Sequence, residues 1–309
     1  MGVHIAQIGI GRVGRPTAYT ILSAGLPSEI TVCDVKKGLA RAFAEELRHA
    51  AASLRLDVDI HDFDRDEDVS GADLILLSAG MPRTPGTSMT RRDLAATNAK
   101  VIKEISEITR PNNPGAKYVV ITNPVDAMAM ICKKYSKADF VIGTGTNLES
   151  LRFRSYLSTK LKVPVSKIQG WIGGEHGQSM VALWSTTRVC GKPIEDYSIE
   201  KKNVETHLAE MTEFIVDNIG ATEYGPAASF RDIVRAIVKN TDEILSVDIP
   251  MEFSSLSELT YVSIPVRMGW TLGPTLYSFL NDIEKQRLEN AAMMIRQIYG
   301  DAINSLRDA

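Results

Sequence analysis

Five side chains in this 309-residue chain have the types and spacing for hydride transfer to or from a small dicarboxylate. Arg83 and Arg91 lie in MPRTPGTSMTRRDL, Glu149 and Arg152 in NLESLRFR, and His176 in WIGGEHG. A guanidinium is a planar, permanent cation that matches a carboxylate at two points, and one placed beside a carbonyl draws electrons toward its oxygen. An imidazole titrates near neutral pH, so it can give a proton to a developing alkoxide and recover it in the reverse direction. Glu149 and Arg152 are three residues apart and share one helical face. That spacing also allows the plainer reading of an intrahelical ion pair.

A second group has the spacing of a phosphate cradle. Gly9, Gly11 and Gly14 form G-x-G-x-x-G between an apolar run and a helical pattern. The first two allow a tight turn and close approach of a pyrophosphate, and the third lets helix and strand pack together. Arg12 and Val13 lie inside this loop, and the helix behind it begins with partial positive charge. A purely structural turn can carry the same glycines, so the context decides. Asp34 ends the next apolar run, twenty residues after Gly14. A carboxylate there accepts hydrogen bonds from the adenosine ribose hydroxyls and repels a 2′-phosphate. NAD is therefore expected over NADP, with Lys36 and Lys37 near enough to soften the discrimination.

The elements that must position these groups alternate in the first half. Strands are expected from Val3, Glu29, Ala72, Lys117 and Phe140, with a short, ambiguous one at LDVDI from Leu56. Helices are expected at Val13 to Ala24, through GLARAFAEELRHAA, and through DLAATNAKVIKEISEITR, where Ala99, Ile102, Ile105 and Ile108 recur every third residue. Continuous apolar strands separated by helices imply a parallel sheet covered on both faces. After about residue 145 the pattern changes. A helix is expected over NLESLRFRSYLSTKL, a strand pair around the polar turn in IQGWIGGEHGQSMVALW, and helices over roughly 200–219 and 226–239. A strand follows in ELTYVSIPVRMG, and a long helix runs from Asn281. The expected class is α/β, with an N-terminal Rossmann doubly wound parallel sheet (1–144) and a C-terminal α+β substrate domain (145–309).

Composition narrows the possibilities. A net charge of −3 without long runs of one sign argues against nucleic acid and anionic membranes as partners. No apolar run is long enough to span a bilayer, and the chain starts directly in a strand without a secretory pattern. Cys33, Cys132 and Cys190 are odd in number and widely spaced, which disfavours a disulfide framework or a structural zinc site. A reduced, cytoplasmic protein with no metal is expected.

Taken in order, IGIGRVG, SAGMPRTPG, TRRDL with Asn98, ITNPVD, NLESLRFR and GEHG resemble the lactate and malate dehydrogenase family along essentially the whole chain. The resemblance implies that His176 is the proton donor and acceptor, Arg152 the holder of the C1 carboxylate, and Arg91 the loop arginine that polarises the carbonyl. Glu149 stands where the family usually has Asp, orienting the histidine from one methylene further out. Asn123 matches a residue touching substrate and nicotinamide ribose; Asn98 and Thr122 join the cofactor-binding set. Arg83 resembles the malate branch, where the arginine binds the distal carboxylate and lactate dehydrogenases carry Gln. The G-E-H-G form is similar to lactate-dehydrogenase-like malate dehydrogenases of archaea and bacteria, which implies reversible oxidation of (S)-malate to oxaloacetate and a homotetramer built as a dimer of dimers. Two departures stand out. The Arg83–Arg91 spacing is two residues longer than the family's usual one, and Arg92 adjoins Arg91. Competing readings are a dehydrogenase for lactate or another monocarboxylic 2-hydroxy acid, an NAD-dependent glycosidase with a metal held by Cys and His, and a noncatalytic NAD sensor.

Overall fold

In a computed structural model of the chain, the described residues are 2–81 and 91–307. The first strand, β1 (His4–Ile8), is buried at every position, and it enters helix α1 (Gly14–Ser23) through the glycine loop. There follow β2 (Glu29–Cys33), α2 (Leu39–Leu54), β3 (Asp59–Phe63) and β4 (Leu74–Leu77). After the undescribed 82–90 come α3 (Arg91–Thr109), β5 (Lys117–Val120), α4 (Val125–Ser136) and β6 (Val141–Gly143). These six strands are parallel and run β3-β2-β1-β4-β5-β6, the order that reverses direction at β1. Ile5, for example, sits between Ile30 and Leu74. Side chains above and below such a strand both meet helices, so polar residues have no solvent face to occupy.

The chain continues through α5 (Asn147–Leu161), β7 (Ile168–Gln169), β8 (Ile172–Gly174), β9 (Met180–Ala182), β10 (Arg188–Val189) and β11 (Lys192–Pro193). Two helices follow, α6 (Lys201–Ile219) and α7 (Tyr224–Lys239), then β12 (Glu243–Met251), β13 (Thr260–Met268), β14 (Leu272–Thr275) and α8 (Asp282–Arg307). The main sheet does not stop at β6. It goes on antiparallel through β12, β13, β8 and β9, joined where Asp248 pairs with Gly143. A single apolar core accordingly runs from Ile5 and Leu76 to Val247, Ile264 and Ile295. A smaller cluster lies under α2, and another, around Phe153, Leu157 and Trp184, lies beside α5.

The structure departs from the sequence reading at several points. The ambiguous strand falls three residues later, on Asp59–Phe63, because β3 is an edge strand with exposed alternate positions. Ile108 is 40% exposed, whereas Ala99, Ile102 and Ile105 are buried. Each step of three advances about 300° around a helix with 3.6 residues per turn, so three steps carry Ile108 to the side opposite Ala99. The helix α4 and the strand β12, neither singled out by periodicity, are both present. Among the described residues no helix is long and apolar enough to cross a membrane.

Candidate active site

The glycine loop follows β1, and Asp126, at the start of the helix that follows β5, bonds the turn that carries His176. At the glycine loop, Gly9 has a φ of 84°, and a Cβ there would come within 2.3 Å of the Ala79 amide nitrogen. A Cβ on Gly14 would lie 2.0 Å from the Gly9 carbonyl oxygen, so the helix can enter this close only without a side chain. Gly11 differs: a Cβ there would meet nothing within 4 Å. No side chain caps α1, which leaves its first amides available to an anion. Asp34 is fixed by two amides, its Oδ2 accepting from Ile10 N (3.0 Å) and its Oδ1 from Lys36 N (3.0 Å). An open face at Gly11, an uncapped helix start and an oriented carboxylate fit a dinucleotide. Arg12 Nη1 meanwhile donates to the Gly220 carbonyl at 3.3 Å, tying the loop to the α6–α7 turn.

Asn98 is buried and its amide is fully engaged. Its Oδ1 accepts from Met81 N (2.7 Å), and its Nδ2 donates to Asn123 O (2.7 Å) and Met81 O (3.2 Å). Thr122 Oγ1 donates to Ala79 O at 2.7 Å. Both side chains clamp the chain leaving β4 to the chain leaving β5. Asn123, by contrast, is exposed.

The charged cluster draws on three elements. His176, in the β8–β9 turn, has Nδ1 3.1 Å from Glu149 Oε2 on α5. Arg152 Nη1, one turn along α5, donates to Glu149 Oε1 at 3.3 Å and to Thr212 Oγ1 on α6 at 2.7 Å. The carboxylate therefore serves both partners, and the intrahelical pair and the histidine contact coexist. The Glu149 side chain is 8% exposed, against 27% for His176 and 14% for Arg152, so the carboxylate lies behind the two cations. Burial alone would depress the His176 pKa. The charge and hydrogen bond of Glu149, helped by Asp126, reverse this and raise it to about 9, against opposition from Arg152. Burial pushes Glu149 up, but His176 and Arg152 outweigh it and hold the carboxyl below its ordinary value. The arrangement favours an imidazolium paired to a carboxylate.

Arg83 lies outside the described residues. Arg91 is the first residue of α3, and its side chain lies outside them too. Three contacts escaped the sequence reading. Asp126, in the quoted ITNPVD, receives the His176 backbone N–H at 3.2 and 3.3 Å. Thr212, the partner of Arg152, sits in a helix with no motif. Asp248 is buried beside Asp126, and the two carboxyl groups lie within hydrogen-bonding reach of each other. Among the described residues no group of three or more His, Cys, Asp or Glu side chains could hold a metal.

A doubly wound sheet with this glycine loop, next to a carboxylate–imidazole–guanidinium cluster, defines a dinucleotide-dependent oxidoreductase. Residues 3–140 match the model of the lactate/malate dehydrogenase NAD binding domain, and 146–304 that of the lactate/malate dehydrogenase alpha/beta C-terminal domain. The chain belongs to the lactate/malate dehydrogenase family, and its cofactor is NAD. A malate dehydrogenase of Sulfolobus acidocaldarius is 37% identical over 305 residues, 98% of each chain. L-lactate dehydrogenase 1 of Clostridium acetobutylicum is 31% identical over 306 residues, 95% of this chain and 96% of its own. The solved malate dehydrogenase of Picrophilus torridus superposes with a TM-score of 0.91 at 26% identity, covering 100% of this chain and 99% of that one.

Proposed function

We propose that this protein is a malate dehydrogenase that interconverts (S)-malate and oxaloacetate. The observation that carries the reading is the Arg152–Glu149–His176 cluster, a fixed cation for one carboxylate beside a proton-exchanging ring. NAD, when bound, supplies or accepts the hydride at C2 of the substrate. With Nδ1 committed to Glu149, His176 Nε2 is the nitrogen left to protonate the carbonyl oxygen in reduction and to deprotonate the hydroxyl in oxidation. Arg152 holds the C1 carboxylate, exchanging its Thr212 bond for a stronger charge-assisted pair. Arg91 polarises the carbonyl, Asn123 lies against substrate and nicotinamide ribose, and Arg83 receives the distal carboxylate. Gly9, Gly11, Arg12, Val13 and Gly14 hold the pyrophosphate and Asp34 the ribose. Asn98 and Thr122 shape the groove wall through the backbone they clamp.

The malate assignment over lactate is supported by Arg83 and by the similarity to malate dehydrogenases. A role in the tricarboxylic acid cycle, a cytoplasmic location, a homotetramer and a division into domains at residue 144/145 belong to the same proposal. NADH oxidation measured in parallel with oxaloacetate, pyruvate and 2-oxoglutarate tests it. Oxaloacetate should give the highest kcat/KM. A preference for pyruvate overturns the assignment in favour of the second reading, a lactate dehydrogenase, which the Clostridium relative supports. Arg83→Gln then separates the two. Pyruvate offers that arginine no second carboxylate, and a cation left unpaired away from water costs about 3–5 kcal/mol, so the variant should lose oxaloacetate activity and gain pyruvate activity.

A further inference from the structure

Behind the His176 turn, Asp126 and Asp248 form a polar pair that proton transfer to substrate does not use. Asp126 is in the first turn of α4 and Asp248 in the middle of β12; they are 2% and 0% exposed. Asp248 is held in a seam of glycines. A Cβ on Gly143 would lie 2.1 Å from Asp248 Oδ2, and one on Gly145 would lie 2.8 Å from Oδ1 and 2.3 Å from Ser263 Oγ. Its Oδ1 accepts the Ser263 hydroxyl, and the Gly145 backbone also bonds to the carboxylate. Oδ2 is buried and has no partner if both carboxyl groups are treated as acceptors. Yet the two carboxyl groups lie within hydrogen-bonding reach of each other. A bond at that distance requires a proton on one of them, and two adjacent buried negative charges repel strongly.

We infer that Asp126 and Asp248 share one proton, and that this singly charged pair is a positioning unit for His176. This inference rests on the dehydrogenase reading for its consequence but not for its chemistry. Asp248 already accepts from Ser263 and Gly145, so it is the better anion, and Asp126 carries the proton toward Oδ2. The proton gives Oδ2 its missing partner. The pair then closes a ring of contacts. The His176 N–H donates to Asp126, Asp126 to Asp248, and the Ser263 hydroxyl to Asp248. Ser263 Oγ in turn accepts from Thr146 N at 2.9 Å, at the start of α5, and α5 presents Glu149 to His176 Nδ1. Backbone and ring of the histidine are thus tied to one connected frame. Other ionisable groups face the pair: Glu149 from α5, Glu175 and His176 from the β8–β9 turn, and Tyr261 from β13. Burial raises both carboxyl pKa values, and His176 is the cation that limits the rise on Asp126.

Amide isosteres separate a shared proton from two separate charges. In Asp126→Asn the amide donates to an ionised Asp248; in Asp248→Asn it donates to an ionised Asp126. Each single variant keeps one negative charge and the bond between the side chains, and only the double variant loses the charge. Infrared difference spectra of wild type minus each single variant, at neutral pH without substrate, should show a protonated carboxyl C=O stretch that shifts in D2O. The His176 pKa, followed by NMR of its Cε1 proton, should change little in either single variant. In the double variant it should fall by more than the two single changes added together. Rescue of the pKa in the single variants is a readout that loose packing does not produce. Absence of the carboxylic acid band overturns the inference. So do equal pKa drops in the single variants that simply add in the double one, since those mark two independently ionised groups. Neither measurement needs turnover, so a failed oxaloacetate assay counts against the malate reading and leaves this inference standing.

Discussion

At the Gly9–Gly14 loop, function depends on keeping side chains out; at His176, it depends on bringing charged side chains together. The loop is assembled within six consecutive residues, and its tightest contacts are with backbone, the Gly9 carbonyl and the Ala79 amide. The His176 cluster draws Asp126, Glu149, Arg152 and Thr212 from three helices, and reaches Asp248 on a strand that joins the sheet from far along the chain. Steric exclusion is local, so each glycine can be tested alone. A charge cluster is shared, so removing one member changes the protonation of the others.

The largest effect should come from His176→Asn. The amide cannot exchange a proton with substrate, and loss of a positioned acid–base group costs about 10²–10⁴-fold in kcat/KM. NADH affinity, read by fluorescence, should survive because the glycine loop is untouched. A loss of less than about tenfold would remove His176 from the chemistry and dissolve the contrast between the two regions.

Glu149→Gln probes the sharing. Glu149 is the main group raising His176 to about 9, so its removal should lower that value. Reduction of oxaloacetate needs the imidazolium and fails as pH rises through the histidine's pKa; its limb should therefore move to lower pH. The malate oxidation limb, which needs the neutral ring, should move the same way. A shift of at least about one pH unit is expected, the equivalent of ~1.4 kcal/mol. Arg152 loses its charged partner in the same variant, keeping Thr212, so the KM for oxaloacetate should change as well. Wild-type limbs in both directions would make Glu149 a partner of Arg152 alone.

The glycines give the opposite behaviour. Gly14→Ala places a methyl group 2.0 Å from a backbone carbonyl and should cost about 1–3 kcal/mol of stability in chemical denaturation. Gly11→Ala adds a methyl group to open space. Stability should stay within about 0.5 kcal/mol of wild type, while NADH binding weakens. If Gly11→Ala binds NADH as wild type does, the pyrophosphate lies elsewhere.

This difference also explains what could be read from the chain alone. The parallel half was legible because buried strands are uninterrupted apolar runs, such as Leu74–Leu77, and because glycine spacing is a local constraint. His176, Glu149 and Arg152 were legible through short motifs, and three-residue spacing put the latter two on one helical face. Strand β12 was missed because Ser246, Asp248 and Pro250 interrupt its apolar character. Ser246 and Asp248 are buried there only because Ile172 and Ser263, remote in sequence, supply their hydrogen-bond partners. Thr212 has no local signature, since its contact depends on how α6 lies against α5. Long-range polar pairing leaves no period in the sequence.

The smallest effect is expected at Asp34, where the two modes meet in one residue. Its carboxylate is a charged group, but backbone amides hold it, Ile10 N on one oxygen and Lys36 N on the other, each at 3.0 Å. Asp34→Ser removes the charge and one of the two oxygens. Losing the Ile10 bond should loosen the glycine loop and weaken NADH and NADPH alike, so absolute affinities are a poor readout. The ratio isolates the repulsion of the 2′-phosphate, because the loop contributes equally to both cofactors. That ratio of kcat/KM, NADH over NADPH, should fall about tenfold, the equivalent of ~1.4 kcal/mol. Lys36 and Lys37, exposed beside the site, then face the added phosphate without an intervening anion. A reversal of preference would make these lysines an active part of phosphate recognition. An unchanged ratio would mean that Asp34 serves only to brace Ile10 and Lys36, and that the ribose is held by other groups.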